Sequence, residues 1–370
     1  MDLTFSSEQE ILQDSAVKFA QKACGLDQYK KSLEAEGQCH PDIWKQFAEF
    51  GWLSLAVPEA AGGFGGTTLD MALVAEALGA GLVIEPFVAG ALLPCSIFSQ
   101  SAAQKHETLL GKVAEGSEQL AVAYAERAGR FDPGACETTA QAADDKFVIT
   151  GSKHCVFNAP NASHLIVSAR TGDTIGLFLA PRNAPGLSID AYDVLGGGTA
   201  ANLLLDKVSV SSDAQVGNLE TLERALDRAA VVSCAQVLGG MTALLERTTN
   251  YLRTRKQFGV PIGSFQVLQH RVVDMFIEIE QSRSMVMMAS SKADSDNTAE
   301  RMRAVSAAKA HLCKTSKFVA QQAVQLHGGI GMTEELDVGH YFRQLTAFSI
   351  RYGDREFHLS RFEAQPEPLA

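Results

Sequence analysis

The sequence predicts a mainly α-helical protein interrupted by a β middle domain. Three observations predict it. Apolar residues recur at helical spacing through the first third. Short runs rich in Val, Ile, Leu and Phe alternate with turn signals from about Gln119. The helical period then returns after Gly217 and lasts to the end. The corresponding domains are an N-terminal helical domain over 1–117, a middle β barrel or sandwich over 118–216, and a C-terminal four-helix bundle over 217–370.

Taken in order, Ser7 and Glu10 form a capping-box pattern ahead of Leu12, Ala16, Phe19 and Ala20. A second helix runs through Ile43, Trp44, Phe47 and Phe50, and Gly51 ends it. The cluster Gly62-Gly63-Phe64-Gly65-Gly66 lacks the spacing and the Lys-Ser/Thr of a phosphate loop, so it reads as a tight turn before a helix beginning near Thr67. Strands are expected at 120–124, 146–150, 164–169, 175–180 and 202–210, separated by Asp144-Asp145, Gly151, Gly172-Asp173 and Gly196-Gly197-Gly198. Helices are expected at 221–253, 265–292, 299–326 and 333–351, with a short one beyond Asp354.

Composition narrows the function classes. A chain of 370 residues with net charge -11 and a pI near 5.3 lacks the basic face that nucleic acid demands. Its seven cysteines are dispersed with no Cys-x-x-Cys pair, which fits buried thiols in a reducing compartment and no metal site. The start at Met1-Asp2-Leu3-Thr4 lacks the basic region of a signal peptide. The stretch 75–93 comes nearest to an apolar membrane span, but Glu76, Glu85 and Pro86 interrupt it. A cytoplasmic protein without membrane association is expected.

Two C-terminal motifs are specific. The first is Arg253-Thr254-Arg255-Lys256-Gln257-Phe258-Gly259-Val260-Pro261-Ile262, followed by Phe265-Gln266 and Gln269-His270. The second is Gln325-Leu326-His327-Gly328-Gly329-Ile330-Gly331. Together with Trp52 to Gly66, they make the chain resemble the acyl-CoA dehydrogenase family along essentially its whole length. Taken singly, Arg255 would read as a surface ion-pair former, and Gly328-Gly329 as a turn after a helix. The resemblance implies an FAD shared between two subunits. It also implies that Arg255, Gln257, Phe258, Gln325, Gly328 and Gly329 reach the adenine–pyrophosphate half of a neighbour's cofactor. The chemistry suits that role: a guanidinium pairs bidentately with phosphate, and glycines let backbone amides approach it.

The groups expected around the flavin ring are a poorer match. Relatives carry a Thr-Glu-Pro-like loop where this chain reads Ala123 to Arg130. Where relatives read Trp-Ile-Thr-Asn, alignment on Gly151-Ser152-Lys153 places Cys155 at the tryptophan and Phe157 at the threonine, and leaves Asn158 alone in common. Phe157 has no donor for a flavin nitrogen. Oxidation of an acyl-CoA needs a carboxylate to remove the α-proton, a group worth roughly 10²- to 10⁴-fold in rate. The two positions at which the family holds that base are Tyr352 and Ala229 here. Asp354, with His358 one turn on, is the remaining candidate for the base, and its other reading is an N-cap.

The resemblance therefore implies one subunit of a heteromeric, α₂β₂ acyl-CoA dehydrogenase. Such a subunit would lend FAD contacts to a second acyl-CoA dehydrogenase chain and act on a bulky acyl-CoA such as a steroid side-chain thioester. Electron-transferring flavoprotein is the expected acceptor. The rivals are a self-sufficient homotetramer using Asp354, a non-catalytic scaffold, and a different flavin reaction that needs no α-proton base.

Overall fold

The computed structural model describes residues 4–98 and 100–366. The chain divides into two compact units. One holds the chain up to Lys31, Thr68–Ile84 and Ala230 onward, and the other holds Ser32–Thr67 and Glu85–Ala229. In chain order the helices are α1 (Ser7–Ala23), α2 (Leu26–Glu34), α3 (Pro41–Glu49), α4 (Trp52–Ala56), α5 (Thr68–Ala80), α6 (Leu93–Cys95), α7 (Gln100–Lys105) and α8 (Glu107–Ala114). After the strands come α9 (Leu219–Thr254), α10 (Gln266–Lys292), α11 (Thr298–His327), α12 (Val338–Phe348) and α13 (Arg355–Glu363).

The second unit carries an eight-stranded mixed sheet of β1 (Leu120–Ala123), β2 (Thr139–Ala143), β3 (Lys146–Phe157), β4 (His164–Thr171), β5 (Thr174–Pro181), β6 (Leu187–Asp193), β7 (Thr199–Ser211) and β8 (Gln215–Asn218). The order is β6-β7-β3-β2-β4-β5-β8, with β1 parallel to β4. Ile149, Val156, Leu165, Val167, Phe178, Leu203, Leu205 and Val208 form its buried core. Three of these strands were not expected from the sequence. β2, β6 and β8 expose most of their side chains and lack an apolar run, so only pairing with β3, β7 and β5 reveals them. The glycine cluster is a turn, as expected: the amides of Gly63, Gly65 and Gly66 donate back to the carbonyls of Pro58, Val57 and Leu55.

In the first unit α11 packs against α10, α12 and α13, and α1 packs on α5. α5 and α9 approach backbone to backbone. A side chain at Gly79 would strike the Gln236 carbonyl, and one at Gly239 the Glu76 carbonyl. Some expectations need correcting. The capping box lies one residue earlier: Ser6 Oγ accepts from Gln9 N at 3.2 Å and Ser6 N donates to Gln9 Oε1 at 3.1 Å. The helix expected over 333–351 shrinks to α12, because Gly328–Met332 forms a 3₁₀ turn and Asp337 begins the helix. By length and composition α9 is long and apolar enough to cross a bilayer, which the sequence reading did not anticipate, and most of its apolar stretch is buried within the protein.

Candidate functional site

The two C-terminal motifs come together at one end of the helical unit. α9 ends one turn beyond Tyr251, whose carbonyl accepts the Arg255 amide at 2.8 Å. The Tyr251 ring stacks on His327, the last residue of α11, at 4.5 Å and 26°. His327 Nδ1 lies 2.8 Å from the Ala323 carbonyl, so that nitrogen carries the proton and the ring is fixed. Burial pushes the His327 imidazole below its ordinary value, keeping it neutral against Tyr251. Arg255, Gln257, Phe258, Gln325, Gly328 and Gly329 are all exposed around this junction.

Beyond Arg255 the chain folds back as a two-residue hairpin, β9 (Lys256–Gln257) and β10 (Val260–Pro261). Its turn is Phe258-Gly259, with φ of 54° and 83°. Such a turn ordinarily takes Asn-Gly or Asp-Gly, and a bulky residue at positive φ is strained. Phe258 is in addition 92% exposed. Both costs fall on one residue, whose ring makes an edge-to-face pair with Phe265 at 6.2 Å. Backbone strain of this kind clusters at functional positions.

The end of α11 is shaped for close approach. Gly328 closes the helix with φ 68° and ψ -148°, a combination open only to glycine, and its amide donates to the Val324 and Gln325 carbonyls. Nothing lies within 4 Å of a side chain placed at Gly328 or Gly329. These glycines serve no packing need, so the backbone there is open to an incoming group.

The ring-side segments in the sheet unit look different. A buried ion pair frames them: Lys153, fully buried, donates to Glu126 Oε1 at 2.6 Å and to Ser168 Oγ at 2.8 Å. Glu126 also accepts from the Glu137 and Thr138 amides at 2.6 and 3.1 Å, pinning the 124–138 loop. Burial alone would raise the Glu126 carboxyl, but the Lys153 hydrogen bond and charge and the two neighbouring donors outweigh it and hold it at about 2. Sequence reasoning missed this pair. The signal was Lys153 itself, which falls at an inward register of β3, in phase with Ile149.

Next to that frame β3 bulges between Lys153 and Val156. Cys155 stands exposed at φ 52°, and Asn202 Oδ1 binds its amide at 3.4 Å and His154 Nδ1 at 3.2 Å. Asn158 has a structural reason for its identity. It adopts φ 65°, is buried, donates to the Leu120 carbonyl at 3.1 Å and accepts from Asn161 Nδ2 at 3.0 Å. Its amide is thus committed within the protein, and Phe157 beside it has no polar side-chain atom.

The two expected base positions hold no carboxylate. Ala229 is fully buried in α9, and Tyr352 is buried at φ 56°. Asp354 caps α13, accepting the Phe357 amide at 2.9 Å. The segment between α12 and α13 is clamped from beneath. Buried Lys309 donates to the carbonyls of Phe348 and Gly353 at 3.1 and 2.9 Å, and buried His358 Nε2 donates to the Tyr352 carbonyl at 2.9 Å. Burial first, and the Lys309 charge next among the effects that lower it, hold His358 down at about 3.

The helical, β and helical segments in this order, with two exposed motifs meeting at one helical junction, are the layout expected of a flavin-dependent dehydrogenase. The acyl-CoA dehydrogenase N-terminal, middle and C-terminal domain profiles match residues 6–117, 121–208 and 219–365. The structure of a Tcur3481–Tcur3483 steroid ACAD is 31% identical with a TM-score of 0.85, over 96% of both chains. The chain belongs to the acyl-CoA dehydrogenase family, FAD-dependent oxidoreductases acting on the CH–CH group of acyl-CoA. A similar protein is acyl-CoA dehydrogenase IpdE2 of Mycolicibacterium smegmatis, 27% identical over 97% of this chain and 99% of that one. The ChsE4–ChsE5 complex from Mycobacterium tuberculosis shares the fold, with a TM-score of 0.90 over the whole of both chains at 24% identity.

Against FAD, the two groups of residues differ. The Arg255 and Gly328-Gly329 end offers a guanidinium and open backbone, which suit phosphate. At Cys155, Phe157 and Asn158 the side-chain amide is already engaged and the ring position has no donor, which does not suit the isoalloxazine.

Proposed function

We propose that this chain is the base-lacking subunit of a heteromeric acyl-CoA dehydrogenase. It lends Arg255, Gln257, Phe258, Gln325, Gly328 and Gly329 to the FAD of a partner chain. The partner supplies the proton-abstracting carboxylate and the ring contacts. FAD, when bound, would supply the acceptor for the β-hydride of the thioester while the partner's carboxylate takes the α-proton, and electron-transferring flavoprotein is the expected next carrier. The observation that carries this reading is the pair of base positions: Ala229 and Tyr352 hold no carboxylate, and Asp354 is engaged as a helix cap.

A bulky acyl group is the favoured substrate class, supported by the similarity to a steroid ACAD. The test is co-expression with a second acyl-CoA dehydrogenase chain, followed by counting flavins. One FAD for every two chains, with Arg255→Ala releasing it from the complex, is the expected result. A yellow homomer carrying one FAD per chain and oxidising an acyl-CoA on its own would sink the proposal. FAD retained at full occupancy by Arg255→Ala would favour a scaffold instead.

A further inference from the structure

The sheet-bearing unit contains a two-lobed cleft of about 540 and 310 Å³ between α7–α8 and the sheet. Lys105, His106 and Asp213 line both lobes and so form the waist between them. Lys112, Glu118 and His164 complete the titratable groups of the larger lobe. Its volume falls in the range of about 300–1,000 Å³ usual for small-molecule sites.

The charges in this cleft are unequally matched. Glu118 lies 3.8 Å from Lys112, the one ion pair within it among the described residues. Lys105 has no carboxylate in ion-pair range, and the His106 side chain makes no hydrogen bond, among the described residues; the His106 ring meets only the edge of Phe98 at 5.7 Å. His164 uses Nδ1 toward Ser163 Oγ at 3.1 Å, which leaves Nε2 outside that bond. Burial pushes both imidazoles below their ordinary value; at His164 the Glu118 charge works against this, and the His106 and Lys112 charges add to it. Asp213 works the other way on His106, and its own carboxyl is held low by the Ser211 hydroxyl. Hydroxyls of Thr108 and Ser209 add donors, and Leu109, Leu179, Pro181 and Val210 give an apolar wall.

We infer that this cleft binds a small oxyanion, a phosphate ester or a carboxylate, through Lys105, His106, Lys112 and His164, with its apolar part against the Leu109–Leu179 wall. Both imidazoles are neutral in the unliganded cleft at neutral pH, and a bound anion favours their protonated forms. Affinity is therefore expected to rise as pH falls through the histidine range.

Calorimetric titration with inorganic pyrophosphate and, separately, hexanoate tests this, at about pH 6 and about pH 8. Saturable one-to-one binding of at least one probe is expected, roughly tenfold tighter at the lower pH. Which probe binds tells phosphate ester from carboxylate. The Lys105→Met/His164→Gln pair should weaken it at least about tenfold, the loss of roughly 1.4 kcal/mol expected for charge-assisted hydrogen bonds. Lys45→Met, on α3 and paired with Glu49, should leave it unchanged. Binding of neither probe, binding indifferent to pH, or the same affinity in the cleft variant would overturn the inference.

Discussion

At Asp354 one atom-level contact decides between two roles. Its carboxylate accepts the Phe357 amide at 2.9 Å, a bond that an asparagine can also accept but an alanine cannot. Asp354→Asn should therefore keep stability and the activity of the assembled enzyme, whereas Asp354→Ala should lose about 1 kcal/mol of stability in denaturant unfolding. A general base replaced by its amide would instead lose activity by orders of magnitude, so the asparagine variant separates the readings. Glu126 makes a second residue-scale case. Its carboxyl is held at about 2 when folded, below its unfolded value, so its contribution is present above roughly pH 4.5 and lost as pH falls toward 2. Glu126→Gln strands the Lys153 ammonium and should cost about 3–5 kcal/mol, read as a lowered denaturant midpoint together with a flatter stability profile between pH 5 and pH 2. Arg255 and Gly328 were singled out by the motifs that carry the family resemblance, not by residue type, and both lie exposed where those motifs meet. The Glu126–Lys153 pair was not, because its partners lie 27 positions apart and meet only in the folded sheet unit.

Among elements, the crossing of α5 and α9 rests on two absent side chains. Gly239 faces the Glu76 carbonyl and Gly79 the Gln236 carbonyl, both backbone atoms that cannot swing away. Gly239→Ala gains about 1 kcal/mol of helix propensity but forces the helices apart, typically about 1–3 kcal/mol of overpacking cost. A net loss is expected, seen as a lower thermal midpoint; a rise would show that the crossing relaxes freely. Long helices such as α9, α10 and α11 were readable because their apolar period persists over many turns. The strands β2, β6 and β8 were not, since exposed strands carry little pattern of their own and owe their form to their neighbours. The same limit explains the loop after α12. Its sequence continues a helical pattern, yet Lys309 and His358 capture the carbonyls of Phe348, Tyr352 and Gly353 from α11 and α13.

For the whole molecule the question is what covers α10. Val267, Val273, Phe276 and Ile277 are 64, 52, 52 and 45% exposed on this one helix, an apolar stripe that an isolated soluble chain rarely presents to water. If the chain lends its cofactor motifs to a partner, a surface such as this one should bury against that partner, because a shared FAD requires a lasting interface. A charge at its centre then has a defined effect. Phe276→Asp adds no strain to the free subunit, since the side chain is already half exposed, so circular dichroism and thermal unfolding of the separate chain should barely move. In the assembly the carboxylate would be desolvated without a partner, costing several kcal/mol, or more than a hundredfold in dissociation constant. Size-exclusion chromatography of the co-expressed pair should show it falling apart, and FAD should leave with it, because the groups at Arg255 and Gly328 would no longer reach the other chain. A complex that stays whole and yellow with Asp at 276 would place the shared interface elsewhere.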